Sequence, residues 1–183
     1  MTYICLLRGV NVGGRAKVPM ADFRDLLGGV GATRVRTYVN SGNAVFEHDL
    51  PRPEEIASRV ADALRERLGV EVGVVVLTAQ DLADVARQQP FPHGTAEQIA
   101  MLHVGFLFAV PEAGMPASVP APANVGRDEF VLGEAAVYVR CPDGFGRTKL
   151  NGTFFERALG VPVTFRNWRT VLALLEMAAG SAG

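Results

Sequence analysis

The hydrophobic positions of the first 78 residues alternate between strand-like runs and helix-like spacings. Residues 3–9 form an apolar run with little alternation, which predicts a buried strand. Apolar side chains then recur at helical spacing over residues 23–30, and again over 56–68. Three shorter runs predict further strands, at residues 34–39, 44–47 and 72–77. The first two of these meet across Asn-Ser-Gly-Asn, a turn sequence typical of a hairpin, so the order is the β-α-β-β-α-β of a ferredoxin-like unit.

The second half of the chain repeats part of this order. Four apolar runs predict strands, at residues 103–110, 129–132, 135–140 and 161–165. A helix is expected to open at the capping-box sequence Thr153-Phe-Phe-Glu156, and the last helix carries Trp168 on its apolar face. Residues 111–126 stand where the first half has a helix, but they are rich in Pro and Ala, and their four prolines argue against a regular helix.

These patterns together predict an α+β protein in two parts. Residues 1–78 form a ferredoxin-like β-α-β-β-α-β first subdomain. Residues 79–102 form a helical connection, which opens with the capping-box sequence Thr78-Ala-Gln-Asp81. Residues 103–183 form a smaller β-ββ-α-β-α second subdomain, a partial echo of the first.

The composition narrows the class of function. Of the 183 residues 49% are hydrophobic, which supports a folded core. Eighteen Lys and Arg oppose nineteen Asp and Glu, so a protein that coats nucleic acid or an anionic membrane through bulk charge is disfavoured. Neither the two cysteines nor the three histidines have a metal-binding spacing, and both cysteines fall in apolar runs typical of buried thiols. With no export signal and no membrane span, we expect a cytoplasmic protein without metal or cofactor, and no pattern indicates its oligomeric state.

Polar residues gather at one predicted edge of the first sheet. Because a right-handed crossover makes the first two strands parallel, the loop after the first strand and the hairpin after the second lie at the same edge, beside the N-terminus of the first helix. This edge collects Arg8, Asn11, Gly13, Gly14, Arg15, Lys17, Asn40, Ser41, Gly42 and Asn43. Ordinary turn chemistry would explain its Gly and Asn residues, whereas Arg8 ends a buried strand and should need a partner. A small cradle for an anion is the alternative interpretation.

A second polar group is expected at one edge of the second sheet. The segments at the start of the last two helices carry Arg147, Lys149, Asn151, Arg166, Asn167 and Arg169. Cations at helix N-termini oppose the helix dipole, a conflict that a bound anion or buried carboxylates would resolve. This makes it the stronger of the two candidate anion sites. No activated nucleophile or acid/base pair stands out, and the GxGxxG, GxxxxGK(S/T) and GxSxG motifs do not occur.

Four motifs make the chain similar to a known family. They are LRGVNVGG at residues 7–14, TYVNSGNAVF at 37–46, the segment 149–156, and TFRNWRTV at 164–171. Through them the chain resembles the bacterial family called domain of unknown function 1697 over nearly its whole length. The resemblance implies a two-part α+β fold with a ferredoxin-like first subdomain, and its motif positions fall at both polar edges. It implies no activity, because the family has none established.

Three functions are compatible with these patterns. The first is binding of a small anionic ligand, phosphate- or nucleotide-like, with Arg8, Lys149, Arg166 and Arg169 pairing the anion and Asn11, Asn43 and Asn167 orienting it. The second is a nucleic-acid-binding module of ferredoxin-like type, which the near-neutral charge disfavours. The third is a protein-interaction module without a ligand, in which the same residues hold the two subdomains together. Whether the protein is an enzyme is left open.

Overall fold

The contacts within the chain divide it into two units. Unit 1 is Met1–Asp84 together with the chain from Leu172 onward, and unit 2 is Val85–Val171. The computed structural model describes residues 1–13 and 16–180. Gly14 and Arg15, which the sequence assigned to the first polar edge, therefore lie outside the described residues. The boundaries predicted at residues 78 and 102 stay predictions.

Unit 1 has the predicted β-α-β-β-α-β order. Its elements are β1 (Thr2–Leu7), α1 (Met20–Gly29), β2 (Thr33–Tyr38), β3 (Asn43–Glu47), α2 (Pro53–Leu68) and β4 (Val74–Thr78). The strands form an antiparallel sheet in the order β2-β3-β1-β4, which is the ferredoxin-like arrangement. Cys5 in β1 is opposite Ala44 on one side and Val76 on the other, so β1 occupies a central position, as its unbroken apolar run predicted.

The core of unit 1 combines the apolar stripes of its two helices with alternate residues of the central strands. Because helical residues three or four apart share a face, each helix contributes one set of buried side chains. The core includes Tyr3, Cys5, Leu7, Phe23, Leu26, Leu27, Ile56, Val60 and Leu64. These side chains are buried, so the residues able to bind a ligand are expected in the loops at the strand ends.

Unit 2 contains a second four-stranded sheet. The remaining elements of the chain are α3 (Ala79–Arg87), α4 (Ala96–Met101), β5 (Leu102–Leu107), β6 (Glu129–Leu132), β7 (Ala136–Arg140), α5 (Gly152–Leu159), β8 (Val163–Asn167) and α6 (Trp168–Ala179). The sheet order is β6-β7-β5-β8, which repeats the order of unit 1 when the strands of each unit are numbered from the first. The predicted echo is therefore confirmed, and residues 111–126 contain neither helix nor strand.

The helix starts are partly as predicted. The box at Thr78 and Asp81 is confirmed, because Asp81 N donates to Thr78 Oγ1 at 3.0 Å and Thr78 N donates to Asp81 Oδ2 at 2.9 Å. The box predicted at Thr153 is wrong. Asn151 caps α5 instead, and Glu156 Oε1 accepts from Val163 N at 3.1 Å. Among the helices of the described chain, none is both long enough and apolar enough to cross a membrane.

Candidate functional site

The two loops that the sequence placed together in unit 1 do meet. β1 and β2 both pair antiparallel with β3, so they run in the same direction and end at the same edge of the sheet. Leu7 N, at the end of β1, donates to Gly42 O in the hairpin at 2.8 Å. We call this the β1–β2 edge, and define it by the described residues 8–13 and 16–19 after β1 and residues 39–42 after β2.

Asn11 joins the two loops of the β1–β2 edge. Its Nδ2 donates to the backbone oxygens of Val18 and Asn40, each at 2.8 Å, and its Oδ1 accepts from Val18 N at 2.9 Å. Both amide hydrogens are used, so the side chain has no donor left for a ligand. Its φ of +56° lies in the left-handed region, which Asn tolerates better than most residues. Asn11 therefore holds the two loops together.

The hairpin residues of this edge are also held by the fold. Asn43 is fully buried, and its Nδ2 donates to Tyr38 O at 3.1 Å. A Cβ on Gly42, whose φ is +71°, would lie 2.6 Å from Leu7 Cβ, so only glycine lets the hairpin approach β1 this closely. Gly13 also has a positive φ, +61°, but open space surrounds it, so its requirement is conformational.

Three charged or hydroxyl side chains at the β1–β2 edge are exposed, namely those of Arg8, Lys17 and Ser41. The backbone N of Arg8 donates to Gly73 O at 2.9 Å, which fixes the position of the residue directly after β1. Arg8 follows a buried strand, as predicted, but the residue itself is exposed. Lys17 directly precedes Val18 and is therefore held in place by the hydrogen bonds of Asn11.

Both helix N-termini predicted for the second polar group lie at one edge of the unit 2 sheet. β7 and β8 each pair antiparallel with β5, so they end at the same edge, which we call the β7–β8 edge, and α5 and α6 begin there. Asn151 Oδ1 accepts from Phe154 N at 3.1 Å, and Asn167 Oδ1 accepts from Thr170 N at 2.8 Å. These two side chains cap backbone donors that an anion would otherwise use.

Two of the four cations predicted at the β7–β8 edge have hydrogen-bond partners in the protein. Arg166 lies within β8 and is only 7% exposed, and its Nη1 donates to Thr164 Oγ1 and to Phe165 O, each at 2.9 Å. Lys149 Nζ donates to Ala123 O at 2.9 Å, while Arg147 and Arg169 are exposed. The conflict between cations and helix dipoles is therefore smaller than predicted, because Lys149 and Arg166 are held by hydrogen bonds within the protein. The main reason to expect a bound anion at this edge is weaker as a result.

His103 is a residue of this edge that the sequence analysis did not single out. It is opposite Asn167 in the sheet, and its ring stacks on Phe145 with 4.2 Å between ring centroids. Burial lowers the pKa of His103 to about 4, although a hydrogen bond with the Met101 backbone opposes the shift. The imidazole is therefore neutral at pH 7. Its position at the start of a buried apolar run was the signal that could have identified it.

Both thiols are shielded from solvent. Cys5 and Cys141 are both buried, as predicted. Burial raises the pKa of the Cys141 thiol to about 11, so it is protonated at neutral pH and a poor nucleophile, although a hydrogen bond with Thr148 opposes the shift. Within residues 1–13 and 16–180, no group of three or more His, Cys, Asp or Glu side chains could hold a metal ion.

Two surface clefts each lie within a single unit. One of about 690 Å³ runs between residues 29–31 and the side chains of Arg59 and Arg67 in unit 1. The other, of about 350 Å³, is lined in unit 2 by residues that include Val119 and Phe154. Neither cleft contains a residue that the sequence assigned to a site.

Comparison with known proteins decides the family. Residues 1–138 match the model of the family described as Protein of unknown function (DUF1697), which is well over half of the chain. The chain belongs to the DUF1697 family. This DUF1697 match includes the whole β1–β2 edge, whereas the predicted site residues of the β7–β8 edge lie beyond residue 138.

The fold is also that of a solved structure, described as the conserved bacterial protein SP0830 from Streptococcus pneumoniae. The two chains align over 97% of this DUF1697 chain and 98% of the other, with a TM-score of 0.70 and 20% sequence identity. At that identity the likeness concerns the fold alone. Among curated proteins, none matches the chain.

Proposed function

We propose that this DUF1697 protein is cytoplasmic and binds a small anionic ligand, phosphate- or nucleotide-like, at the β1–β2 edge. The observation that carries the proposal is the set of hydrogen bonds made by Asn11, which ties the loop after β1 to the hairpin after β2. A tied pair of loops presents Lys17 and Arg8 in a fixed arrangement, so less conformational entropy is lost when a ligand binds.

The electrostatics of this edge favour an anion. Lys17 and Arg8 are exposed cations, and α1 begins at the same edge with no side chain capping its first N–H groups. The positive end of that helix adds to the attraction, although Asp22 in its first turn opposes it. At the β7–β8 edge, in contrast, Asn151 and Asn167 already cap both helices. The β1–β2 edge therefore supports anion binding better than the edge that the sequence favoured.

The nucleic-acid alternative receives no support from unit 1. Ferredoxin-like RNA-binding modules stack bases on exposed aromatic side chains of the central strands. Here the aromatic side chains of the central strands, Tyr3 in β1 and Phe46 in β3, are fully buried. A ligand at the loops of the β1–β2 edge is consistent with this burial, because it does not need the face of the sheet.

The proposal is tested by thermal unfolding in the presence of inorganic phosphate and of nucleotides. A ligand that binds only the folded protein raises its Tm by mass action. We expect the shift to fall by more than half in Lys17→Ala and Arg8→Ala. The shift should stay unchanged in Lys149→Ala, which removes the same charge from the other edge. If only Lys149→Ala lost the ligand-dependent shift in Tm, the site would lie at the β7–β8 edge. If no ligand shifted the Tm of the wild type, the proposal would be wrong.

A further inference from the structure

Two valines at the β1–β2 edge are exposed. Val12 is 67% exposed and Val39 is 53% exposed. Val12 directly follows Asn11, and Val39 directly precedes Asn40, the two residues joined by a 2.8 Å hydrogen bond. Each valine is therefore adjacent in sequence to one of the two residues that join the loops.

Val39 is also in a conformation that its side chain disfavours. Its φ is +47°, in the left-handed region, where a β-branched residue is an outlier. Asn or Gly would adopt this conformation at a lower free energy. Because more than half of the side chain is in water, burial does not offset the strain. Strained residues that packing does not require are typical of ligand-binding positions.

We infer that Val12 and Val39 form an apolar wall of the anion site, so that its ligand is an organic phosphate with a ring rather than a free phosphate ion. In this arrangement the phosphate group faces Lys17 and Arg8, and the ring covers the methyl groups of the two valines. The inference rests on the proposed function and narrows its ligand class. Inorganic phosphate has no apolar surface, so it would gain nothing from the valines.

Calorimetric titration separates the two parts of such a ligand. Adenosine 5′-monophosphate carries both a phosphate and a ring, whereas inorganic phosphate carries only the charge. Burial of apolar surface on binding gives a negative heat-capacity change, so titration at several temperatures detects contact with the ring. The variants are the double substitution Val12→Ser with Val39→Asn, and Val39→Asn alone. The matched control is Val110→Ser, because Val110 is 67% exposed and lies in unit 2.

For the wild type we expect tighter binding of adenosine 5′-monophosphate than of phosphate, with a negative heat-capacity change. The double variant should lower the affinity for the nucleotide about tenfold and leave phosphate binding unchanged, because it removes only apolar contacts. Val39→Asn alone should raise the Tm of the free protein and still weaken nucleotide binding, a combination that a purely structural role for Val39 would not produce. Val110→Ser should change neither.

Two contrary results are distinguishable. If phosphate binds while the nucleotide does not, or if the double variant binds the nucleotide as the wild type does, the apolar wall is overturned and the proposed anion site stands. If neither ligand binds the wild type, both the inference and the proposed function are overturned. An equal loss of nucleotide affinity in Val110→Ser would also contradict the inference, because the effect would then not belong to this edge.

Discussion

Units 1 and 2 have the same strand order but differ in the segment after their first strand. After β1 comes α1, which buries Phe23, Leu26 and Leu27. After β5 comes the Pro- and Ala-rich stretch 111–126, from which the partly buried Met115, Val119 and Val125 pack against the core. Aromatic side chains also pack in the core of unit 2, where the ring centroids of Phe130 and Phe155 are 5.3 Å apart. The comparison shows that this topology tolerates an irregular segment in place of a helix, with side chains of that segment packed against the core.

The polar edges of the two units differ in how they use their amide side chains. Asn11 of unit 1 joins two loops, whereas Asn151 and Asn167 of unit 2 each cap one helix. A side chain that joins loops fixes an arrangement of exposed groups, while a cap satisfies backbone donors locally. The same residue type therefore joins two loops in unit 1 and completes secondary structure in unit 2.

The largest effect should come from closing the space at the hairpin of unit 1. In Gly42→Ala the new Cβ would meet Leu7 and Val10 at 2.6 and 2.7 Å, at a positive φ. Overpacking and the left-handed conformation together should lower the free energy of unfolding by roughly 3 to 4 kcal/mol, measured by urea denaturation. Gly69→Ala is the control, because Gly69 has a positive φ with open space around it and should lose only about 1 kcal/mol. Equal losses would show that close packing at Gly42 is unimportant.

Unit 2 should make stability depend on acid through His103. Its folded pKa, about 4, is below the usual 6.5, so between these values the unfolded chain binds a proton that the folded protein does not. Stability is then fully present above pH 6.5 and falls by roughly 2 to 3 kcal/mol as the pH drops to about 4. His103→Phe should remove this slope in urea titrations across that pH range, while His93→Gln, at an exposed histidine, should retain it. An unchanged slope in His103→Phe would contradict the assignment.

Removing the amide of Asn11 should lower stability by a smaller amount but should change both stability and anion binding. Asn11→Ala loses three side-chain hydrogen bonds, which predicts a loss of about 2 kcal/mol in the free energy of unfolding, part of it from a left-handed φ that Ala disfavours. Asn11→Gly keeps the backbone conformation and separates the two contributions. Both variants should also lose the anion-dependent rise in Tm, although the side chain does not contact the ligand. If the rise in Tm persisted, the hydrogen bonds of Asn11 would not be needed for anion binding.

The caps of unit 2 should give the smallest effects. Asn151→Ala and Asn167→Ala should each lower the free energy of unfolding by about 1 kcal/mol, the usual loss for an N-cap, as measured by chemical denaturation. Neither should change anion binding, in contrast to Asn11→Ala. If either abolished the anion-dependent stabilisation, the distinction between the two edges would be wrong.

Much of the fold could be predicted from the pattern of apolar residues. The strand expected at 129–132 is found at Glu129–Leu132, and the break at 111–126 follows from its prolines. The meeting of the β1 and β2 loops could also be predicted, since it depends only on strand order and handedness. The hydrogen-bond partners of the polar side chains could not be predicted from the sequence. Asn151 and Thr153 are both good caps two residues apart, and the bond from Asn11 to Asn40 spans 29 residues.

The most direct test of the account is to locate the anion by nuclear magnetic resonance. Backbone amide shifts of the labelled wild-type protein are followed while inorganic phosphate is added. The account predicts saturable shifts at Arg8, Lys17 and Ser41, with the amides of Phe154 and Thr170 unchanged because Asn151 and Asn167 already occupy them. Shifts confined to Phe154 and Thr170, with none at the β1–β2 edge, would contradict it.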